Sequence, residues 1–119
     1  MIYDMNSPIY LQVIEDIKKK IIKGELVAGQ KLPSTRELAL IYEINPNTAA
    51  RVYSEMESAG ISFTKRGLGT YITEDREFIG NLSKDAVFRL VQTFVNEVKV
   101  LGYNLDDTQK IIEGAWDND

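Results

Sequence analysis

Asn47, Thr48 and Arg51 have the spacing of neighbours on one helical face, with Arg51 four residues past the first and three past the second. Their chemistry suits base edges. An Asn amide pairs bidentately with adenine, and Thr exchanges hydrogen bonds or sets its methyl against that of thymine. Arg forks onto guanine or clamps a phosphate. The start of the helix that carries them favours a phosphate too. Farther along, Lys65-Arg66-Gly67-Leu68-Gly69-Thr70 puts two cations beside two glycines. Glycines let one backbone approach another closely, and cations attract phosphate. Upstream, Ser34-Thr35-Arg36-Glu37 opens a helix, with Arg36 in the first turn. The Ser34 hydroxyl caps that helix, leaving its amide for phosphate. Taken singly, each group also reads as ordinary surface: a solvated helix face, a charged hairpin tip, or an Arg36 ion pair with Glu37, Glu43 or Glu57. Their order along the chain favours binding to a nucleic acid.

Composition removes most other chemistries. The 119 residues contain no Cys and no His. Disulfides, thiolate metal sites, the commonest general base and the commonest metal ligand are therefore absent. Asp106-Asp107 reads as a helix cap and Asp117/Asp119 as a solvated tail, so no metal site is expected. No nucleophile–base pair, P-loop or dinucleotide fingerprint occurs, so no catalytic residue and no cofactor is expected. No apolar run reaches the length of a membrane span, and Met1-Ile2-Tyr3-Asp4 lacks the basic start of a signal peptide. A cytoplasmic address is the expectation.

The net charge of −4 is unevenly placed. Residues 1–73 hold 9 Lys/Arg against 8 Asp/Glu, and residues 74–119 hold 5 against 10. Phosphate contact needs a basic face rather than a basic protein. The acid lies where a segment remote from DNA tolerates it. With so weakly basic an N-terminal part, modest affinity per monomer is expected, and hence a dimer.

The elements that position these groups follow from apolar spacing and caps. Ile9, Val13, Ile17 and Ile21 recur every four residues and predict a helix over 8–23, capped by Ser7 with Pro8 at its first position. Lys18, Lys19, Lys20 and Lys23 load its last turn, and Gly24 stops it. Ser34 and Glu37 form a capping box for a helix to about Tyr42, with Leu38, Ala39 and Tyr42 inward. Asn45-Pro46 starts a third helix, to about Ala59, that buries Ala49, Val52, Tyr53 and Met56. Two short strands, 61–65 and 70–73, flank the glycine tip. Helical spacing returns at about Arg76. Gly80-Asn81 is a place for it to break, with Ser83 as a new cap. Val87, Val91, Phe94, Val98 and Leu101, spaced four, three, four, three, form a heptad seam that Leu90 and Val95 widen. Gly102 ends that helix, and Asp106 caps a last one carrying Ile111, Ile112 and Trp116. One helix cannot bury so broad a stripe against itself, so part of it covers the preceding domain or a second copy.

The stretches PIYLQVIEDIKKKIIKGELVAGQKLPSTRELA, INPNTAARVYSEMESAGI and TKRGLGTYI resemble the GntR superfamily of bacterial transcription regulators. Asn45-Pro46-Asn47-Thr48, Tyr53 and the short tail look most like the YtrA-type branch. The resemblance covers Pro8 to Thr73 closely and the tail by architecture. It implies a winged helix-turn-helix that binds a DNA operator as a dimer, mostly represses, and is released by a small-molecule inducer. It also implies DNA contacts by Ser34, Arg36, Asn47, Thr48, Arg51, Gly67, Gly69 and Thr70, and a link to transporter genes. Three positions depart from the pattern. Ala50 stands where many relatives are basic, and Pro46 replaces a common Arg. Glu43 takes a turn position where Gly is frequent, at a cost of ~1 kcal/mol if the backbone there is left-handed.

The expected molecule is thus α+β and mainly helical. Residues 1–75 form a winged helix-turn-helix domain, and residues 76–119 a helical dimerisation tail. Its partners are double-stranded DNA, through Ser34, Thr35, Arg36, Asn47, Thr48, Arg51, Lys65, Arg66, Gly67, Gly69 and Thr70, and a second copy of itself. The copies meet through Val87, Leu90, Val91, Phe94, Val95, Val98 and Leu101. The competing reading is a winged-helix module that binds proteins and never touches DNA.

Overall fold

The apolar stripe of the first segment forms α1, Ile9–Ile22, whose Val13, Ile14, Ile17 and Ile21 are buried. Pro8 is the cap residue, with an extended ψ of 142° and no side-chain cap bond. The expected Ser7 cap is therefore corrected. The Gln12 amide supplies the tie instead, donating to the carbonyl oxygens of Asp4 at 2.6 Å and Ser7 at 2.9 Å. The computed structural model describes residues 1–118; Asp119 of the acidic tail lies outside them.

Next come α2, Thr35–Tyr42, and α3, Pro46–Ser58. The capping box is closed in both directions: the Ser34 hydroxyl accepts from the Glu37 N–H at 3.1 Å, and the Glu37 carboxylate accepts from the Ser34 N–H at 2.9 Å. Asn45 caps α3 by accepting from the Asn47 N–H at 2.8 Å, with Pro46 at the first helical position. Leu38, Ala39 and Tyr42 of α2 and Ala49, Val52, Tyr53 and Met56 of α3 join the α1 stripe in one core, closed by Leu32, Ile61 and Ile72.

The turn between α2 and α3 pivots on Glu43, which has φ 54° and ψ 49° and is, among the described residues, the one non-glycine with positive φ. Its Cβ crowds the following carbonyl in that conformation, and glycine carries no such penalty. Glu43→Gly is expected to raise unfolding stability by about 0.5–1 kcal/mol, the relief being partly offset by a freer unfolded chain. A melting curve checks this; an unchanged or lowered midpoint would show that no strain resides in the turn.

A β-hairpin follows, β1 (Ser62–Lys65) and β2 (Gly69–Ile72), paired antiparallel with Phe63 opposite Tyr71 and Lys65 opposite Gly69. The connector before α2 joins its edge. Lys31 bridges to Tyr71, the Leu32 N–H donates to the Thr70 carbonyl at 2.8 Å, and the Ile72 N–H to the Gln30 carbonyl at 2.9 Å. At the other edge the Glu57 carboxylate of α3 accepts from the Thr64 N–H at 2.9 Å. The hairpin is thereby anchored to the helix-turn-helix on both sides.

The helix α4 runs unbroken from Arg76 to Val100, started by Asp75, whose carboxylate accepts from the Phe78 N–H at 3.0 Å. The expected break at Gly80-Asn81 and re-cap at Ser83 do not occur. A helical glycine costs about 1 kcal/mol, and the packing of Phe78, Ile79 and Leu82 against the core on both sides of Gly80 outweighs it. The last helix, α5 (Leu105–Trp116), is capped by Asn104, which accepts from the Asp107 N–H at 2.8 Å; Asp106, the expected cap, lies inside the first turn. The chain divides into two compact units, Met1–Ser83 and the stretch from Lys84 onward. The boundary expected at 75/76 thus falls eight residues later in the contacts, because Phe78, Ile79 and Leu82 pack with the first unit.

Candidate nucleic-acid interface

Burying Ala49, Val52, Tyr53 and Met56 leaves the opposite face of α3 to solvent. Asn47 and Arg51 are exposed there and Thr48 is half-exposed. The Asn47 backbone amide is taken by the Asn45 cap, but its side-chain amide has no hydrogen-bond partner among the described residues. The Arg51 guanidinium lies over the ring of Tyr10, 3.8 Å from its centroid, and its Nε is 3.9 Å from the Glu55 carboxylate. Tyr10 belongs to α1, and the spacing of the first helix gave no sign that it would reach this face.

The capping box fixes the N-terminus of α2. Because the Ser34 amide is bound by Glu37, it is not the free donor expected from the sequence. The Ser34 hydroxyl accepts the Glu37 N–H at the helix start. The N–H groups of Thr35 and Arg36 come before the first intrahelical bond and are open to an anion. The bond from the Ser34 amide, and then that involving its hydroxyl, hold the Glu37 carboxyl below its ordinary pKa. Arg36 is exposed and forms no ion pair within 4.0 Å among the described residues, so none of the pairings with Glu37, Glu43 or Glu57 is made. The Tyr53 hydroxyl donates to the Pro33 carbonyl at 2.6 Å and holds the connector against α3.

The wing carries more than its tip. Gly67 has φ 79° and Gly69 φ 126°, both in the region that side chains avoid. A Cβ at Gly69 would stand 3.0 Å from Lys31 Cε. Phe63 and Tyr71 stack with centroids 5.8 Å apart, and Lys65 Nζ lies 4.8 Å from the Tyr71 centroid and 5.7 Å from that of Phe63. The strand alternation of the sequence contained this aromatic bed, since residues 63 and 65 share a face and Tyr71 is Phe63's cross-strand partner. Lys31, by contrast, had no local signal, because its neighbourhood depends on the bridge to Tyr71. A groove runs between the α2 start and the wing, lined by Lys31, Ser34, Thr35, Lys65, Gly69 and Thr70. The tip residues Arg66 and Gly67 are exposed. The chain therefore presents amide and guanidinium donors on α3, and an open helix start and cations along the groove, which is what a nucleic-acid backbone and its base edges require.

The seam of α4 is exposed. Val87, Leu90, Val91, Phe94, Val95 and Leu101 all lie open to solvent, Leu90 at 72% and Leu101 at 73%, while Val98 is half-buried. None of the 25 residues of α4 is buried. Among the described residues no group of three or more acidic side chains is placed to hold a metal, and no helix is long and apolar enough to cross a membrane.

Comparison with known proteins places this geometry. Residues 9–72 match the model of "Bacterial regulatory proteins, gntR family". The HTH-type transcriptional regulator YhcF of Bacillus subtilis is 40% identical over 105 residues, covering 88% of this chain and 87% of that protein. The HTH-type transcriptional repressor YtrA of the same organism is 50% identical over 70 residues, 59% of this chain and 54% of its own length. Among solved structures, a GntR family transcriptional regulator from Listeria monocytogenes superposes with a TM-score of 0.88 at 38% identity, covering 94% of this chain and 98% of that one. The DNA-binding domain of AraR, solved in complex with operator ORR3, matches 61% of this chain and 88% of its own at a TM-score of 0.54 and 26% identity. The winged helix-turn-helix expected from the sequence is thus the fold of a DNA-binding transcription regulator and not of an enzyme, and the chain belongs to the gntR family of bacterial regulatory proteins.

Proposed function

We propose that this regulator acts as a homodimeric repressor on a pseudo-palindromic operator, with α3 lying in the major groove of each half-site. Asn47 and Thr48 meet base edges from the first turn of α3, and Arg51 follows one turn on. The wing, through Lys65, Arg66, Gly67, Gly69 and Thr70, grips the flanking backbone or minor groove. Ser34, through its hydroxyl, with Thr35 and Arg36, holds a phosphate at the start of α2, and Lys31 joins them across the groove. The observation that carries this reading is the solvent-facing polar side of α3 set beside an anchored cationic wing. The AraR domain solved on its operator supports DNA as the partner rather than a protein alone.

The dimer follows from the α4 seam. Val87, Leu90, Val91, Phe94, Val95, Val98 and Leu101 offer a continuous apolar stripe that water covers poorly in a single copy. A second copy buries it by two-fold symmetry, matching a palindromic site with half-sites about 34 Å apart. Release by a small-molecule inducer, control of transporter genes and a cytoplasmic location belong to the same proposal by kinship to the short YtrA branch.

Footprinting on the DNA upstream of the protein's own coding region tests this reading. Two equal protections about one helical turn apart are expected, from a species sedimenting at twice the 13.5 kDa monomer. A single protection by a 13.5 kDa species would contradict the dimer. The wing makes a separate claim. Lys65→Ala and Arg66→Ala should weaken specific and random duplexes alike, and each should reduce the slope of log affinity against log salt by about 1. A salt titration reads this slope, and unchanged slopes would take the wing off the phosphates.

A further inference from the structure

We propose that Tyr10 of α1 is a positioning residue for DNA reading, acting through Arg51 by holding its guanidinium over the phenol ring. This deepens the proposed interface and rests on Arg51 being one of its contacts. Three observations carry it. The Arg51 Cζ lies 3.8 Å from the Tyr10 centroid, closer than Lys65 Nζ of the wing lies to its two rings, at 4.8 and 5.7 Å. The Glu55 carboxylate, 3.9 Å from Nε, stands on the same helix beside the guanidinium. Tyr10 is itself half-buried and packed on the core, so the ring is a fixed surface rather than a second mobile side chain.

A free arginine on a helix surface samples many rotamers, and ordering it on DNA costs entropy at the moment of binding. A guanidinium held over a fixed ring has lost much of that freedom before DNA arrives, and no described residue other than Glu55 pairs with its N–H groups. A cation–π contact draws on the charge of the guanidinium, whereas recognition of a guanine edge or a phosphate uses its N–H groups. The phenol hydroxyl of Tyr10 has no hydrogen-bond partner among the described residues, which makes the ring rather than the hydroxyl the working part.

A double-mutant cycle on the full chain tests this, measuring affinity for the footprinted duplex. Tyr10→Leu should weaken binding about 3- to 5-fold, the size of a partly exposed cation–π contact, and Tyr10→Phe should stay within about 2-fold of the parent. In an Arg51→Ala background Tyr10→Leu should add no further loss. Melting curves accompany each variant; Tyr10→Met, which fills similar volume without a π face, replaces the Leu variant if that one fails to fold. In the DNA-free protein, the Arg51 side-chain proton resonances should lose their ring-current shift on Tyr10→Leu and keep it on Tyr10→Phe. Equal losses from Tyr10→Leu with and without Arg51 would overturn the proposal while leaving Arg51 in the interface. Parental affinity in Arg51→Ala alone would remove Arg51 from the interface and the role of Tyr10 with it.

Discussion

Placing one carboxylate in the α4 seam, Phe94→Asp, is expected to dissociate the proposed dimer and to weaken operator binding by more than about 100-fold. Phe94 sits at the centre of the stripe, with Leu90, Val91, Val95 and Val98 around it, and 39% of it is exposed in one copy. Two-fold symmetry would bring two such carboxylates close together in an apolar interface. Burying unpaired like charges is far more costly than the seam can offset. The operator effect follows from linkage. A dimer places its second reading head at a high effective concentration as soon as the first has bound, and such coupling is worth about 10²- to 10⁴-fold. Phe94 belongs to the second compact unit, so the winged unit should keep its melting behaviour. Sedimentation equilibrium and an operator titration read the two halves of the prediction. A variant that stays dimeric would show that the copies meet elsewhere.

Arg51→Ala is expected to cost about 1–3 kcal/mol of operator binding, or roughly 5- to 150-fold in affinity. The upper end applies where the guanidinium forks onto a base, and the lower end where it meets a phosphate alone. Protein stability should barely move, because Arg51 is exposed and its ion pair with Glu55 spans 3.9 Å between exposed groups. The loss for specific DNA set against the loss for random DNA separates the roles. A base contact reduces the specific affinity more, whereas a phosphate contact reduces both equally. Unchanged affinity for both would leave Arg51 no part in recognition.

The parts of this fold that were legible in the sequence are those governed by short-range chemistry. Ser34 and Glu37 close their capping box, and Asn45-Pro46 opens α3, because cap and helix start lie within three residues of each other. The buried face of α3 followed from its period alone. Glu43 was marked by the family resemblance, as a turn position where Gly is frequent, and its backbone is left-handed. The misreadings arose where two local signals competed or a distant partner decided. Ser7 and Pro8 both offered a helix start, and the extended ψ of Pro8 made it the cap. Asn104 and Asp106 both could cap α5, and the earlier one did. Gly80 weakened the helical signal of α4, yet Phe78 and Leu82 had a core to pack on, which the local window does not contain.

Within the candidate interface the exposure of the polar face of α3 and the left-handed glycines of the tip were readable, since each is a local pattern. Lys31 was not, because only the pairing with Tyr71, forty residues on, brings it to the wing. The reach of Tyr10 to Arg51 was not either, because it depends on how α1 crosses α3. The Ser34 amide cannot serve both the Glu37 carboxylate and a phosphate, and the carboxylate three residues away holds it.

The most direct test replaces Asn47, Thr48 and Arg51 together by Ala and compares binding to the footprinted duplex and to a random duplex of equal length at one salt concentration. These side chains are outside the core, so the variant should fold and dimerise as the parent does. Its preference for the footprinted sequence should collapse to near parity, with the salt-dependent binding contributed by the wing and the α2 start still present. A triple variant that kept the parental preference would mean that sequence is read by some other surface.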